Sequence, residues 1–456
     1  MADEKTSRDR GTRQDEHRER VLGVIAEPGP AERVADSLAS ELPRALESAR
    51  NAKRSREAAG TRHGEDAGSS QEAGENGEAG GGSWRVEVVR RTLPLDSSGT
   101  VPLLDIGRRE RNGRDWEAVV VLTELPRRAD HLPVLADCAP EHRVGLVSLV
   151  AMGAVAVRRR TREMLVHLVV DHLADDTGGT GATDGTARKG REGAAGGTAP
   201  SRCRVIDERE ARESSEEGGA QRAVDANVQL EGQGLHFTLP GWQGKLRLLA
   251  GMVRTNRPWR LVPSLSPALA GSTAGAAFGV FYSSIWQLAD AFSTGRLLAV
   301  SLLAVVAMIA WLVLAHNLWE RPQKAGLRAF TALYNAATVA TVSCGVVIMF
   351  VLLFTATFLA ALVIIPPAYL AKTLKHSVGP VDVVTVAWLA SCLGTVVGAL
   401  GSGLADEEAV RGAAFSRGER RRQDWRAEEE ARQEQEGETT EESGGTGSGD
   451  GSGSGG

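Results

Sequence analysis

The chain has 456 residues, with 58 acidic and 53 basic side chains and a formal net charge of −5, so no overall positive field indicates nucleic-acid binding. Hydrophobic residues make up 42% of the chain but alternate with glycine-rich and charged stretches, so only part of the length can form buried cores. The four cysteines show neither a CxxC pair nor metal-ligand spacing, which argues against a disulfide framework: Cys138, Cys203, Cys344 and Cys392.

Four stretches are too rich in Gly, Glu, Ser and Arg to bury a core, and we predict that they are disordered. They are residues 1–19, an insert at 51–82, a linker at 175–222 and the tail at 427–456. The N-terminal stretch lacks the apolar core of a signal peptide, so we expect the first membrane helix to direct insertion.

Residues 20–174 alternate short apolar runs with amphipathic stretches, a pattern that predicts a cytoplasmic α/β domain. The clearest strand, 116–123, is β-branched and mostly apolar, as a central parallel strand should be. The other predicted elements are strands at 20–25, 84–93 and 144–149, and helices at 31–49, 103–111 and 151–173.

Residues 223–262 connect this domain to the apolar part of the chain. A small hairpin is predicted at 228–239, around Gly232 and Gly234. At 244–261 basic and apolar side chains are mixed, which predicts a juxtamembrane helix at the lipid headgroups with Trp259 as its anchor. A solvated helix before the membrane is an equal alternative.

Residues 263–405 predict an all-α membrane domain of four transmembrane helices. Four long apolar stretches, each at least about 20 residues, lie at 268–289, 297–316, 329–371 and 383–404. The third is long enough for one extended helix or for two. Lys and Arg counts favour a single crossing there, because four spans place fourteen basic residues inside and three outside. Both termini and the basic segment 406–426 are then cytoplasmic.

Several runs resemble a family of uncharacterised multi-pass membrane proteins from actinobacteria. The similar runs are ArgProTrpArgLeuValPro (257–263), AlaHisAsnLeuTrpGluArgPro (315–322), LeuTyrAsnAlaAlaThrVal (333–339), residues 387–404, and the ThrGluLeuPro turn (123–126). The resemblance covers roughly residues 20–50, 84–173 and 245–415. It implies the same architecture, with an N-terminal α/β domain, and no catalytic residue, because no activity is attached to that family.

No motif assigns a catalytic, cofactor-binding or metal-binding residue. The loop at 26–30 follows a strand and precedes a helix, but it has neither the P-loop nor the GxGxxG pattern. His167 and His172, with Asp171, share a helix, but a spacing of five turns the two rings about 140° apart on an α-helix. We therefore interpret them as ordinary surface histidines.

The predicted spans carry no charged side chain away from their ends, unlike most ion-coupled transporters. Polar groups near the span ends are His316, Asn317, Asn335 and Asp382. Small residues four apart, at 271–279 and 394–402, predict close helix packing and leave a homo-oligomer open. The arginine triplets at 158–160 and 420–422 are interpreted as solvated or topology-determining rather than lipid-binding.

Three functional hypotheses remain. The leading one is a non-enzymatic protein of the cell membrane, in which the cytoplasmic domain binds protein partners or senses a signal beside the lipid bilayer. The second is a transporter or channel component, based on the multi-pass architecture. The third is a membrane-tethered enzyme that binds a nucleotide or a small acid, with strand-end residues such as Glu27 or Glu124 as the positions to test.

Overall fold

A computed structural model describes residues 19–61, 83–93, 102–129, 132–174, 203–207, 234–319 and 328–403. An N-terminal α/β sheet region is followed by a helical region that makes the chain mostly helical. Most of the segments predicted to be disordered lie outside the described residues, as does the basic segment 406–426. Two described parts contradict that prediction. At the start of the predicted insert a helix continues from Leu42 to Thr61, and within the predicted linker 175–222 the strand Arg204–Asp207 joins the sheet.

The sheet has seven strands in one path and a short eighth strand beside it. In chain order these are β1 Arg20–Ala26, β2 Trp84–Arg90, β3 Ala118–Thr123, β4 Arg128–Ala129, β5 Leu132–Ala139, β6 Val144–Ser148, β7 Arg204–Asp207 and β8 Leu235–Thr238. Their spatial order is β2-β1-β3-β6-β5-β8-β7, and β4 pairs with β5. The first four strands of that path are parallel, and β5, β8 and β7 continue it antiparallel.

The helices of this region cover both faces of the sheet. They are α1 Pro30–Ala39, α2 Leu42–Thr61, α3 Leu103–Arg114 and α4 Val157–Leu168, which continues as a π-helical turn at Val169–Leu173. Helices α1, α2 and α4 bury one face, and α3 buries the other. Gly23 lets the Trp116 ring pack directly on the second face of the sheet, because a Cβ at Gly23 would lie 2.0 Å from that ring.

The connection between the sheet and the apolar helices packs on the α/β domain. Strand β8 pairs with β5 and β7 in the main sheet instead of forming a local hairpin. Helix α5, Gly241–Asn256, packs Leu248 and Met252 into the α/β core, and its contact with a headgroup layer stays a prediction. Gly251 permits this contact, because a Cβ there would lie 1.8 Å from the Val150 carbonyl oxygen. Trp259 is exposed, in the turn that follows α5.

After that turn the chain is helical. The helices are α6 Leu261–Ser264, α7 Ser266–Phe281, α8 Ser283–Ala291, α9 Thr294–Ala315, α10 Arg328–Ile364, α11 Pro367–Leu374 and α12 Pro380–Ser402. Among the described residues, three helices are long and apolar enough to cross a membrane: α9, α10 from Thr331, and α12. Their length and composition indicate a membrane protein.

The prediction of four transmembrane helices is therefore corrected to three candidates. The first predicted span is broken at Tyr282, whose backbone is extended (φ −98°, ψ 111°), into α7 and α8. At 16 residues, α7 is about 24 Å long, shorter than the roughly 30 Å hydrocarbon core. Trp286 Nε1 donates to the Val280 carbonyl oxygen at the break (3.0 Å), which satisfies a carbonyl near the end of α7.

The third apolar stretch is one 37-residue helix, α10, followed by the short α11. At about 56 Å, α10 is almost twice as long as the hydrocarbon core is thick. Its beginning reaches the α/β domain, where Tyr334 and Ala337 join the core beneath α5. The ambiguity in the sequence is thus resolved as a single helix that extends beyond one bilayer thickness.

Helices α7 and α12 pack closely along most of their lengths. The small residues predicted to permit this face each other: a Cβ on Gly394 would lie 2.4 Å from the Ser272 carbonyl oxygen, and one on Gly279 would lie 2.6 Å from Ala390 Cβ. The small residues at 271–279 and 394–402 therefore pack against each other within one chain. Self-association through them stays a prediction and would require other faces of these helices.

Candidate functional site

Two acidic residues meet where the parallel strands end. Glu27 follows β1 and Glu124 follows β3, and these strands are neighbours in the sheet. The chain leaves β1 to form β2 on one side and returns to form β3 on the other, so the order reverses between β1 and β3. Crevices at such reversal points are the usual ligand sites of α/β sheets. We call this place, with Glu27, Thr123 and Glu124, the strand-end crevice.

Glu27 organises the end of β3 through its carboxylate. Its Oε2 accepts hydrogen bonds from Thr123 Oγ1 (2.9 Å) and from the Glu124 backbone N–H (3.3 Å). The Thr123 hydroxyl accepts in turn from the Leu125 backbone N–H (3.1 Å) and is fully buried. Thr123 is thus occupied within the protein and is not placed to act as a nucleophile.

The Glu124 side chain caps the beginning of α1. Its Oε1 accepts a hydrogen bond from the Ala31 backbone N–H (3.1 Å), one of the donors that a helix start leaves unpaired. Pro30 begins the helix, and Gly29 has φ 125°, a conformation that favours glycine. Glu32 completes the turn by accepting from the Gly29 N–H (3.1 Å).

Burial dominates the protonation of Glu124. The side chain is buried, and desolvation raises the pKa of Glu124 from 4.5 to about 7, with a further increase from the neighbouring Glu27 charge. The Ala31 N–H, Arg257 and Arg254 act in the opposite direction. Glu124 therefore gains and loses a proton near neutral pH.

The two arginines come from the connection to the membrane helices. Arg254 lies in the last turn of α5, and Arg257 follows that helix with φ 53°. Burial lowers the pKa of Arg254, and the Glu124 carboxylate opposes this shift. Arg254 Nε is buried and has no hydrogen-bond partner among the described residues. The charge on Glu124 therefore influences residues at the end of α5.

The same connection contacts α10 directly. Asn256 Nδ2 donates to Thr341 Oγ1 (3.1 Å), and that hydroxyl donates to the Ala337 carbonyl oxygen (2.8 Å). Gly345 lets Leu261 and the Pro258 carbonyl approach the α10 backbone, since a Cβ there would lie 2.9 Å from Leu261 Cδ1. These contacts join the end of α5, whose arginines interact electrostatically with Glu124, to a candidate membrane helix.

The chemistry of the crevice favours protons and cations over anions. The Glu124 carboxylate occupies the start of α1, where a phosphate would bind in nucleotide-binding folds. A second carboxylate, on Glu27, lies beside it. A nucleotide or a small acid would therefore meet two acidic groups, although Arg254 and Arg257 offset part of that charge.

A second buried charged cluster lies at β5. Arg127 Nε is 2.8 Å from Asp137 Oδ2, and His236 Nδ1 is 2.5 Å from Asp137 Oδ1. Burial raises the pKa of Asp137, but Arg127 and His236 outweigh it, so the pKa lies below its usual value. His236 Nε2 is buried without a hydrogen-bond partner among the described residues. The cluster fastens β8 to β5. In the sequence, the only indication of this cluster was one aspartate, Asp137, within the otherwise mostly apolar run Leu132–Ala139.

The histidine pair behaves differently from the prediction. The helix becomes π-helical at Val169–Leu173, and the rings of His167 and His172 lie 5.2 Å apart, edge to face. The predicted separation by 140° is wrong because five residues make about one turn of a π-helix. Asp171 Oδ2 is 2.7 Å from His167 Nδ1, and Phe237 packs against both rings.

The other polar residues singled out in the sequence are dispersed. Asn335 and His316 are buried at 6% and 2% exposure, and Asn317 has φ 48° at the end of α9. Arg158 donates to the Ser37 carbonyl oxygen (2.9 Å), and the triplet at 420–422 lies outside the described residues. Asp382 lies at the far end of the helical bundle, near Asp290 and His376, which sequence reasoning missed.

Comparisons with protein-family models, with curated proteins and with solved structures find no match for this chain. Functional reasoning therefore depends on the geometry of the described residues. Within them, the strand-end crevice combines a reversal point in the sheet with a carboxyl group of strongly raised pKa, and its charge acts on the end of α5, which contacts a candidate membrane helix.

Proposed function

We propose that the chain is a membrane-anchored sensing module without enzymatic activity. In this proposal, the α/β domain changes its contacts with the membrane helices when Glu124 gains or loses a proton or binds a cation. Partner proteins would read that change on the surface of the domain. The proposal keeps the leading sequence hypothesis and gives it a sensing residue.

One observation carries the proposal. The charge on Glu124 acts on Arg254 and Arg257, and the residue between them, Asn256, is hydrogen-bonded to Thr341 of α10. A change of one charge in a buried site changes the interaction energy with charged neighbours by about 1–4 kcal/mol. Helix α10 is continuous, so a shift at its beginning extends along the whole helix.

Hydrogen–deuterium exchange of the full chain in lipid nanodiscs tests this coupling. We expect α5 and the first turns of α10 to exchange differently at pH 6 and pH 8, after correction for intrinsic exchange rates. The Glu124→Gln variant removes the ionisable group, so the same peptides should exchange alike at both pH values. The Asn256→Ala variant should keep the change in α5 and lose it in α10.

The outcome that contradicts the proposal is specific. If α5 and α10 exchange identically at both pH values in the unmodified chain, Glu124 does not act on the membrane helices. A response that persists unchanged in Glu124→Gln would assign the sensing to another group. Glu141→Gln, an exposed substitution in the turn after β5, serves as the control for a change of surface charge.

The proposal also includes the orientation of the chain in the membrane. The beginning of α7 and the end of α12 lie together, since a Cβ on Gly401 would be 2.9 Å from the Pro267 carbonyl oxygen. The chain therefore enters and leaves the helical bundle at one end. Three crossings alone would place the two ends of the bundle on opposite sides, so termini on the same side require α7 and α8 together to cross the bilayer as well. The excess of Lys and Arg near that end favours the cytoplasmic side. Reporter fusions at Gly379 and Gly456 would test it, with a cytoplasmic signal expected only from the second.

A ligand-binding enzyme is the second candidate, favoured by the location of the crevice at the reversal point of the sheet. A thermal-shift screen of the full chain separates it from proton sensing. Amines and metal cations should stabilise the unmodified chain more than Glu124→Gln, and nucleotides should stabilise neither. Stabilisation by a nucleotide that is lost in Arg254→Gln would favour the enzyme hypothesis instead.

A further inference from the structure

The end of the helical bundle opposite the α/β domain contains a group of three potential metal ligands. Asp290 ends α8, His376 lies in the loop after α11, and Asp382 lies in the first turn of α12. One ligand atom from each residue lies within 4.8 Å of the other two. The residues are up to 92 positions apart in sequence, so the packing of α8 against α12 brings them together.

The donor atoms are already oriented for a shared ion. His376 Nε2 is 3.0 Å from Asp290 Oδ1, and tetrahedral ligands of a zinc ion lie about 3.4 Å from one another. His376 Nδ1 is 2.9 Å from the Ser377 carbonyl oxygen, which can only accept, so Nδ1 carries the proton. Hydrogen bonding of one ring nitrogen to a carbonyl is the usual arrangement around a metal-bound histidine.

We propose that Asp290, His376 and Asp382 bind a divalent transition-metal ion, with Zn²⁺ as the best-matched ion. Two carboxylates supply two negative charges, and neutral imidazole favours Zn²⁺ over Mg²⁺ or Ca²⁺, which prefer oxygen ligands. The ion takes the position of the Nε2 proton between His376 and Asp290. Water fills the fourth position of the tetrahedron, because the protein supplies three ligands.

The ligands are accessible and pre-positioned. The side chains of His376 and Asp290 are 41% and 38% exposed, so an ion can enter from solvent without unfolding. Asp382 is held by the Gly379 N–H, which donates to its Oδ2 (2.6 Å) and fixes the first turn of α12. Metal binding would therefore fasten the end of α8 to the beginning of α12 across the loop that follows α11.

Zinc binding to the full chain in nanodiscs, without a histidine tag, tests the proposal. Titration with ZnCl₂ against a fluorescent chelator should give one Zn²⁺ per chain. His376→Gln and Asp290→Asn should each weaken binding by at least about 100-fold, because loss of a ligand should cost no less than loss of a hydrogen-bond partner of a ligand, which costs about 10–100-fold. His142→Gln, a partly exposed histidine in the α/β domain, should bind Zn²⁺ like the unmodified chain. MgCl₂ at the same concentrations should not compete.

Two results would overturn the assignment: equal Zn²⁺ affinity in the unmodified chain, His376→Gln and Asp290→Asn, or competition by Mg²⁺ at equal concentration. If a variant fails to fold, X-ray absorption of the unmodified zinc-loaded chain decides instead. It should detect only nitrogen or oxygen neighbours around zinc, with outer-shell scattering from one imidazole ring, and a sulfur-containing shell or several imidazoles would exclude the site. Neither measurement involves Glu124, so the outcome of the zinc experiments is separate from the outcome of the sensing proposal.

Discussion

Replacing Glu124 with glutamine is expected to change the pH dependence of stability in a defined direction. The pKa of Glu124 is about 7 in the folded chain and 4.5 for an ordinary glutamate. Between these values the folded protein holds a proton that the unfolded chain releases, so stability falls as pH rises through this window. Below about pH 4.5 both states are protonated and the difference disappears.

The magnitude follows from the size of the shift. A difference of about 2.5 pKa units corresponds to about 3 kcal/mol of unfolding free energy once pH exceeds 7. Glutamine is neutral at every pH and keeps an oxygen that can accept from the Ala31 N–H. Glu124→Gln should therefore match the unmodified chain near pH 4 and exceed its stability by about 3 kcal/mol near pH 8.5.

Differential scanning fluorimetry of the full chain in nanodiscs measures this effect. For a domain of this size, about 3 kcal/mol corresponds to a difference in Tm of roughly 6–12 °C between the two proteins at pH 8.5. Subtracting the two pH profiles removes the contribution of all other titrating groups. The reasoning is refuted if the difference in Tm is constant from pH 5 to pH 8.5, or if Glu124→Gln is the less stable protein at pH 8.5.

Two further substitutions test the packing of each region by thermal unfolding. Gly394→Ala should destabilise the bundle by about 1–3 kcal/mol, because its Cβ would lie 2.4 Å from a backbone oxygen of α7, whereas Gly295→Ala has open space and should be neutral or slightly stabilising. Asp137→Ala should cost about 3–5 kcal/mol, because Arg127 would keep a buried charge without its partner. An Asp137→Ala variant with unchanged Tm would mean that Arg127 reaches solvent.

The parallel half of the sheet could be predicted from sequence because its strands obey simple rules. Strands β1, β2, β3 and β6 are apolar runs followed by turns or helices, and all four were expected. Strand β5 was not, because Pro133 and Asp137 interrupt the apolar pattern of Leu132–Ala139. The interruption is explained by tertiary contacts, since Asp137 is paired with side chains from two other segments.

Helix α5 marks another limit of sequence patterns. A face that mixes leucines with arginines suits both a lipid headgroup layer and a protein surface, so amphipathicity alone does not choose between them. Gly244 and Gly251, seven residues apart, were the distinguishing signal. Both lie against backbone carbonyls, of Leu239 and Val150, and such close approach is typical of packing against protein.

The break at Tyr282 could not be predicted, because neither proline nor glycine marks it. A hydropathy window averages over the interruption, and the apolar run reads as one span. The residues of the strand-end crevice could be predicted from the sequence only in part. Glu27 and Glu124 were recognised as strand-end residues, but their meeting depends on the strand order, and Arg254 and Arg257 were assigned to the lipid interface.

Helix α10 runs between the strand-end crevice and the proposed metal site. Its first turns join the α/β core near the strand-end crevice, and Ala361, near its other end, packs in the cluster that also contains Leu389 of α12 and Ala289 of α8. Helix α10 is one uninterrupted helix of about 56 Å, so we expect a displacement at one end to reach the other. A metal ion that fastens α8 to α12 would restrain the end opposite Glu124. Zinc should then reduce the pH-dependent exchange of α10 but not that of α5, and equal reduction in both helices would contradict this coupling.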